Sequence, residues 1–113
     1  MEIKESFGEY IRALREKEGL PLRKVAASLD IDTSTLSKIE RGERSANKEM
    51  IAILAALFKI DEDLLNTILL SDKVAYELLS EINSSEILMV AEEKIRYLKT
   101  KSQTQGSIDF DNV

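Results

Sequence analysis

Leu20-Pro21-Leu22-Arg23-Lys24-Val25-Ala26-Ala27-Ser28-Leu29-Asp30-Ile31-Asp32-Thr33-Ser34-Thr35-Leu36-Ser37-Lys38-Ile39-Glu40-Arg41-Gly42 is the stretch that decides how this chain folds. Pro21 fits the start of a helix, where its missing N–H costs nothing, and Leu22 to Leu29 then forms one short helix burying Val25, Ala26 and Leu29. Asp30 falls in a turn, since Asp tolerates the left-handed conformation better than most residues. Asp32 or Thr33 caps a second short helix that buries Leu36 and Ile39 and stops at Gly42. Two short helices joined by a tight turn, the second rich in small polar side chains, form a helix-turn-helix layout.

Outward from that unit the chain reads as helix throughout, with no convincing alternating strand. Ser6-Phe7-Gly8-Glu9 is a capping box, followed by Phe7, Tyr10, Ile11 and Leu14 at helical spacing and by Gly19 as a stop. Asn47 caps a fourth helix with Ile51, Leu54, Ala55 and Phe58 on one face. Asp61 caps a fifth with the stripe Leu64, Leu65, Ile68 and Leu69. Two further helical patterns follow, Val74/Ala75/Leu78/Leu79/Ile82 and Ile87/Leu88/Ala91/Ile95/Leu98, separated by Asn83-Ser84-Ser85. The expected organisation is a five-helix domain over 1–72, a C-terminal helical extension over 73–100 and a disordered polar tail over 101–113.

The composition excludes several classes of function. At 113 residues the chain is one domain with an appended arm, long enough to bury a core without staples. It has no Cys and no His, which removes thiol chemistry, imidazole catalysis and the usual zinc sites. No carboxylate pair or Ser–Lys constellation stands out, so no enzyme activity, metal site or cofactor is expected. The start, Met-Glu-Ile-Lys-Glu, has no apolar signal region, and the longest apolar run, Met50 to Phe58, is too short to span a membrane. A cytoplasmic protein is expected.

The net charge of −5 is unevenly placed. Residues 1–60 carry 11 Lys and Arg against 10 Asp and Glu, whereas residues 61–113 carry 5 against 11. The acid lies in the second half, leaving the first half near neutral and compatible with a nucleic-acid partner of modest non-specific affinity.

On the outer face of the third helix the apolar pattern leaves Thr33, Ser34, Ser37 and Lys38. Short hydroxyls can approach base edges, and a lysine can reach a guanine or a phosphate. Arg41 and Arg44 read either as surface charges or as phosphate contacts. Tyr76 and Tyr97 read as packing residues.

Residues 6 to 72 resemble the lambda-repressor-like, Cro/XRE family of helix-turn-helix regulators. The resemblance is carried by Phe7-x-x-x-Ile11-Arg12-x-Leu14-Arg15, Val25-Ala26-x-x-Leu29, the run Leu36-Ser37-Lys38-Ile39-Glu40-Arg41-Gly42-Glu43-Arg44, and Leu54-Ala55. It implies an all-α fold in which Thr33, Ser34 and Lys38 align with base-reading positions. Thr35, Arg44 and Asn47 align with positions near the phosphate backbone, and Arg15 and Glu40 with an ion pair tying the first helix to the third. Where family members often place Gln at the start of the second helix, this chain has Leu22, so Arg23 or Lys24 takes over phosphate anchoring. Asp30 stands where Gly is common. Asp32 reads as a cap, because phosphate would repel it.

More apolar residues follow the fifth helix than one small domain can use. Leu65, Ile68, Leu69, Leu78, Leu79, Ile82, Leu88, Ala91, Ile95 and Leu98 are therefore candidates for a homodimer interface. The implied function is a transcription regulator binding double-stranded DNA as a homodimer on a palindromic operator. The size and the Leu36–Arg44 run are also similar to those of controller proteins beside restriction–modification genes and of phage repressors, both bacterial systems. A different class of function is an antitoxin or protein-binding module that masks a basic protein partner with acidic C-terminal helices.

Overall fold

The computed structural model describes residues 3–105, with side chains as far as residue 102. Six helices are present among them: α1 (Phe7–Lys17), α2 (Leu22–Ser28), α3 (Thr33–Glu40), α4 (Lys48–Phe58), α5 (Glu62–Leu78) and α6 (Ser84–Gln105). No strand occurs among the described residues. The chain divides into two compact units, with the boundary between Tyr76 and Glu77.

In the first unit each helix boundary follows from a local residue choice. Ser6 accepts the Glu9 N–H at 3.2 Å, and its hydroxyl in turn donates to the Glu9 carboxylate at 3.1 Å. Asp32 caps α3 by accepting the Thr35 N–H at 2.7 Å, and Asn47 caps α4 through the Met50 N–H at 2.9 Å. Asp61 accepts the Leu64 N–H at 3.1 Å at the head of α5. Each such cap satisfies a donor that the helix itself leaves unpaired.

The helix ends are as local as the starts. Gly19, Asp30 and Gly42 all have positive φ, at 67°, 56° and 76°. Each sits just beyond a helix whose last carbonyls are closed by paired bonds. After α2, the Ile31 N–H reaches the Ala26 carbonyl and the Asp30 N–H reaches that of Ala27, at 3.0 and 3.1 Å. This is the Schellman arrangement, here with Asp in the place that glycine usually takes.

The helices bury one contiguous core. Ile11, Val25, Leu36, Leu54 and Leu65 are at most 1% exposed, and Phe7, Ile39, Ile51, Phe58 and Ile68 pack with them. Each such side chain contributes about 1.5–3 kcal/mol through removal from water. Gly8 allows α1 and α3 to cross closely. A Cβ there would lie within 3.0 Å of backbone atoms of Ile39 and Glu40.

Three expectations are corrected. Leu65, Ile68 and Leu69, expected at a dimer contact, are 0%, 2% and 8% exposed because the domain's own core takes them up. Asp72 does not end the domain: α5 runs unbroken through it to Leu78, since Lys73 to Leu78 holds neither Gly nor Pro. Val74, Ala75 and Leu78 thus belong to α5, whereas Leu79 and Ile82 lie in the connection that follows it. Residues 101–105, expected in a disordered tail, are the last turn of α6, as no breaker precedes Gly106. The remainder of that expected tail lies outside the described residues.

The second unit contains α6, preceded by a turn in which the Glu81 N–H reaches the Leu78 carbonyl at 2.9 Å. Its apolar side chains are largely open to solvent: Leu79, Ile82, Leu88, Met89, Val90, Ile95, Tyr97 and Leu98 are all exposed.

Candidate nucleic-acid interface

α3 has one face in the core and one outside. Leu36 and Ile39 are buried, and Asp32 at its head directs a carboxylate oxygen back to the Thr35 N–H. Thr33, Ser34 and Lys38 are exposed, while Thr35 and Ser37 are half-buried. Thr33, Ser34 and Lys38 thus share the outer side of a helix whose inner side is fixed.

The inner side is held by more than apolar contacts. Arg15 on α1 makes a two-pronged ion pair with Glu40, Nε to Oε2 at 2.8 Å and Nη2 to Oε1 at 3.0 Å. The third prong of the guanidinium, Nη1, donates to the Leu20 carbonyl at 3.0 Å. The side chains are 12% and 6% exposed, so both charges have left bulk water and depend on each other. The Glu40 carboxylate holds the Arg15 pKa above its ordinary value, mainly through the hydrogen bond, against the opposing effect of burial. This pair ties α1 to the last turn of α3, as expected of Arg15 and Glu40.

Three of the expected contact residues, Arg41, Ser37 and Thr35, are engaged locally. Arg41 donates from Nη1 to the Ser37 hydroxyl at 3.2 Å and pairs through Nε with Glu43 at 2.6 Å. Both charges of that pair are more than half exposed, so the bond is inexpensive to exchange for a phosphate. Thr35 is tied to Asp32 through its side chain and its N–H, and these two hydrogen bonds hold the Asp32 carboxyl below its ordinary pKa. Lys38 and Arg44 push it the same way, which places both cations within electrostatic reach of the α3 N-terminus.

Around this helix the other candidates lie at the surface. Arg23 and Lys24 are exposed on the first turn of α2, whereas Leu22 beside them packs partly against the core. Leu22 is therefore occupied with folding, and the two cations next to it remain available to an anion. Arg44 is exposed in the segment between α3 and α4. Asn47 is exposed, and its carbonyl oxygen is spent on the α4 cap while its amide N–H groups can still donate. The described residues contain no group of acidic side chains arranged to hold a metal ion. No helix among them is long and apolar enough to cross a membrane.

Two features of this framework lie beyond the reach of sequence patterns: the close approach of Gly8 to α3, and Asp72 on α5 accepting the Phe7 N–H at 2.9 Å. Neither has a local signature, since each depends on a partner far away in the chain.

An all-helical domain with a short, clamped, hydroxyl-rich helix after a tight turn defines the helix-turn-helix class of DNA-binding domains. Residues 11–65 match the family model described as helix-turn-helix, of the Cro/C1, XRE-like type, and this domain belongs to that family. Comparison with curated proteins and with solved structures gave no match. The matched segment runs from the core residue Ile11 to the core residue Leu65 and includes all the expected DNA-contacting positions.

Proposed function

We propose that the protein is a sequence-specific transcription regulator that binds a two-fold-symmetric operator as a homodimer. The observation that carries this reading is the outer face of α3, where Thr33, Ser34 and Lys38 stand exposed on a helix braced by Arg15 and Glu40. A rigid helix presenting short donors and one long cation can read base edges in a major groove. Arg23, Lys24, Arg44 and Asn47, with Arg41 and Thr35 after exchange of their local partners, supply the phosphate contacts that fix its register. Two such domains related by a dyad bind half-sites about 34 Å apart, one helical turn of DNA. The resemblance to restriction–modification controllers and phage repressors suggests promoters of such genes as targets.

The test is selection of bound sequences from a random DNA pool, followed by titration of the best site at two salt concentrations. Recovery of a symmetric motif, bound far more tightly than random DNA, is the expected result. Weak binding that is lost steeply with salt and enriches no motif overturns it.

The alternative role, masking a basic protein with acidic C-terminal helices, has less support from the helix that would do the masking. Of the two helices of the second half, α5 is the one with an acidic balance, carrying Glu62, Asp63, Asp72 and Glu77 against Lys73. α6 itself holds Glu86, Glu92 and Glu93 against Lys94, Arg96, Lys99 and Lys101, so its surface is not acidic.

A further inference from the structure

We infer that α6 is the seam of the homodimer and that two copies of it pack antiparallel. This rests on the homodimer reading above and specifies which surface makes it. Leu88, Ala91, Ile95, Leu98 and Ser102 recur at spacings of three and four residues, the repeat of a two-helix seam. Leu88 is 46%, Ile95 53% and Leu98 37% exposed, although each lies on the same stripe of a 22-residue helix. A helix in water draws most of its stability from packing an apolar face, and among the described residues Leu88, Ile95 and Leu98 of this face stay open to water.

The charges beside the stripe select the second copy and its direction. Glu92 and Lys99 flank it on one side, Lys94 and Lys101 on the other. In a parallel pair Lys94 would face Lys99 of the second copy, twice over, with no compensating attraction. In an antiparallel pair that sets Ile95 against Leu98 of the second copy, Glu92 meets Lys99 of the second copy at both ends of the dyad. Glu92 already bonds Arg96 at 3.0 Å on its own helix, but that pair is about 70% exposed and holds the carboxylate weakly. Lys94 also comes near Lys101 of the second copy at both ends, so the antiparallel pair sets two repulsions against two attractions where the parallel pair has two repulsions alone, and the lysine stems can turn their ammonium groups to water.

The antiparallel register also sets a distance. It places the two Ser84 residues, where α6 begins, about 37 Å apart along the seam, from 25 residues at 1.5 Å each. A parallel pair would bring the same two points to about 8–10 Å, the spacing of packed helices.

Because the chain has no native cysteine, introduced thiols report the register directly. Full-length Ala91→Cys and Ser102→Cys are purified separately, then oxidised alone and as an equimolar mixture. The antiparallel seam sets position 91 opposite position 102, so a cross-linked dimer forms in the mixture. Each single variant stays uncross-linked, its two thiols being about 16 Å apart at 1.5 Å per residue. Self-cross-linking of Ala91→Cys alone establishes a parallel pair and overturns the proposal. A dimer by sedimentation equilibrium with no cross-link in any sample places the interface elsewhere, and so does a variant Ile95→Asp that remains dimeric. A protein that is monomeric at every concentration overturns both the seam and the homodimer reading. Recovery of a single half-site in the DNA selection would then show that sequence-specific binding survives without either.

Discussion

The backbone N–H of Phe7 donates to Asp72 Oδ2 at 2.9 Å, so the first turn of α1 is tied to α5 across 65 positions of sequence. The donor is one of those a helix leaves unpaired at its start, and the acceptor lies seven residues beyond the end of the family match at residue 65. Replacing Asp72 by Ala should lower the stability of the full chain by about 1–2 kcal/mol, the usual cost of losing a helix cap. Asp72→Asn, which keeps an acceptor oxygen, should recover part of it. Urea unfolding followed by far-UV circular dichroism measures both. Equal stability of all three proteins would mean that packing alone anchors α1.

Arg15 and Glu40 offer a sharper test of what braces the reading helix. Either residue changed to Ala leaves a charge nine-tenths buried without its partner, and a loss of about 3 kcal/mol or more is expected. The paired replacement Arg15→Met with Glu40→Leu removes both charges and should restore most of that stability. The pKa of Arg15 is raised in the folded state, so its contribution is complete below the ordinary arginine value and lost only above it. Stability from this pair should therefore not vary with pH across the neutral range. A double variant as unstable as the sum of the two singles would contradict the ion-pair account.

Gly8 should tolerate no side chain. Its missing Cβ is what lets α1 approach the carbonyls of Ile39 and Glu40, and Ala there must push the helices apart. The expected loss for Gly8→Ala is about 1–3 kcal/mol, that of an overpacked core, although Ala is the better helix former. Thermal unfolding reads the sign: a rise in Tm would show that the crossing can relax at no cost.

These residues also mark what the sequence made visible. Ser6, Asp30, Asp32, Asn47 and Asp61 act on backbone groups within four residues of themselves, so their roles could be read in order along the chain. The Arg15–Glu40 pair spans 25 residues and became legible only through the family resemblance. Gly8 and Asp72 have partners set by helix crossing, which no periodicity encodes. Leu65, Ile68 and Leu69 show the complementary limit: an apolar stripe announces that something will cover it, not whether the cover is the same chain or another. Their burial in the monomer moves the search for a dimer contact to apolar side chains that stay exposed among the described residues, the stripe of α6 among them.

Asp32 links the fold of α3 to acidity. Its pKa is depressed, so the cap it provides is fully present above the ordinary aspartate value and is lost as pH falls through the folded value. Titration of its carboxyl by NMR should show a midpoint below that of an unstructured aspartate. Lys38→Ala and Arg44→Ala should each move it upward, as both cations favour the ionised form. An unmoved midpoint in both variants would place those cations away from the head of α3.

The same two cations should separate by what they do to DNA. Lys38 stands on the exposed face of α3 with Ser34, whereas Arg44 lies beyond the helix in the segment leading to α4. A side chain that reads a base edge contributes to discrimination, so Lys38→Ala or Ser34→Ala should cost about 1–3 kcal/mol at the selected site and little on random DNA. A phosphate contact acts on all sequences alike, so Arg44→Ala should weaken both and reduce the salt slope of log K by about 1. Far-UV circular dichroism and oligomeric state should stay unchanged in all three, because none of these side chains is in the core or on α6. Binding isotherms on the selected and scrambled duplexes at two salt concentrations decide the assignment. A Lys38→Ala protein that loses affinity equally on both duplexes makes Lys38 a phosphate contact and moves base reading to Thr33, Ser34 and Ser37.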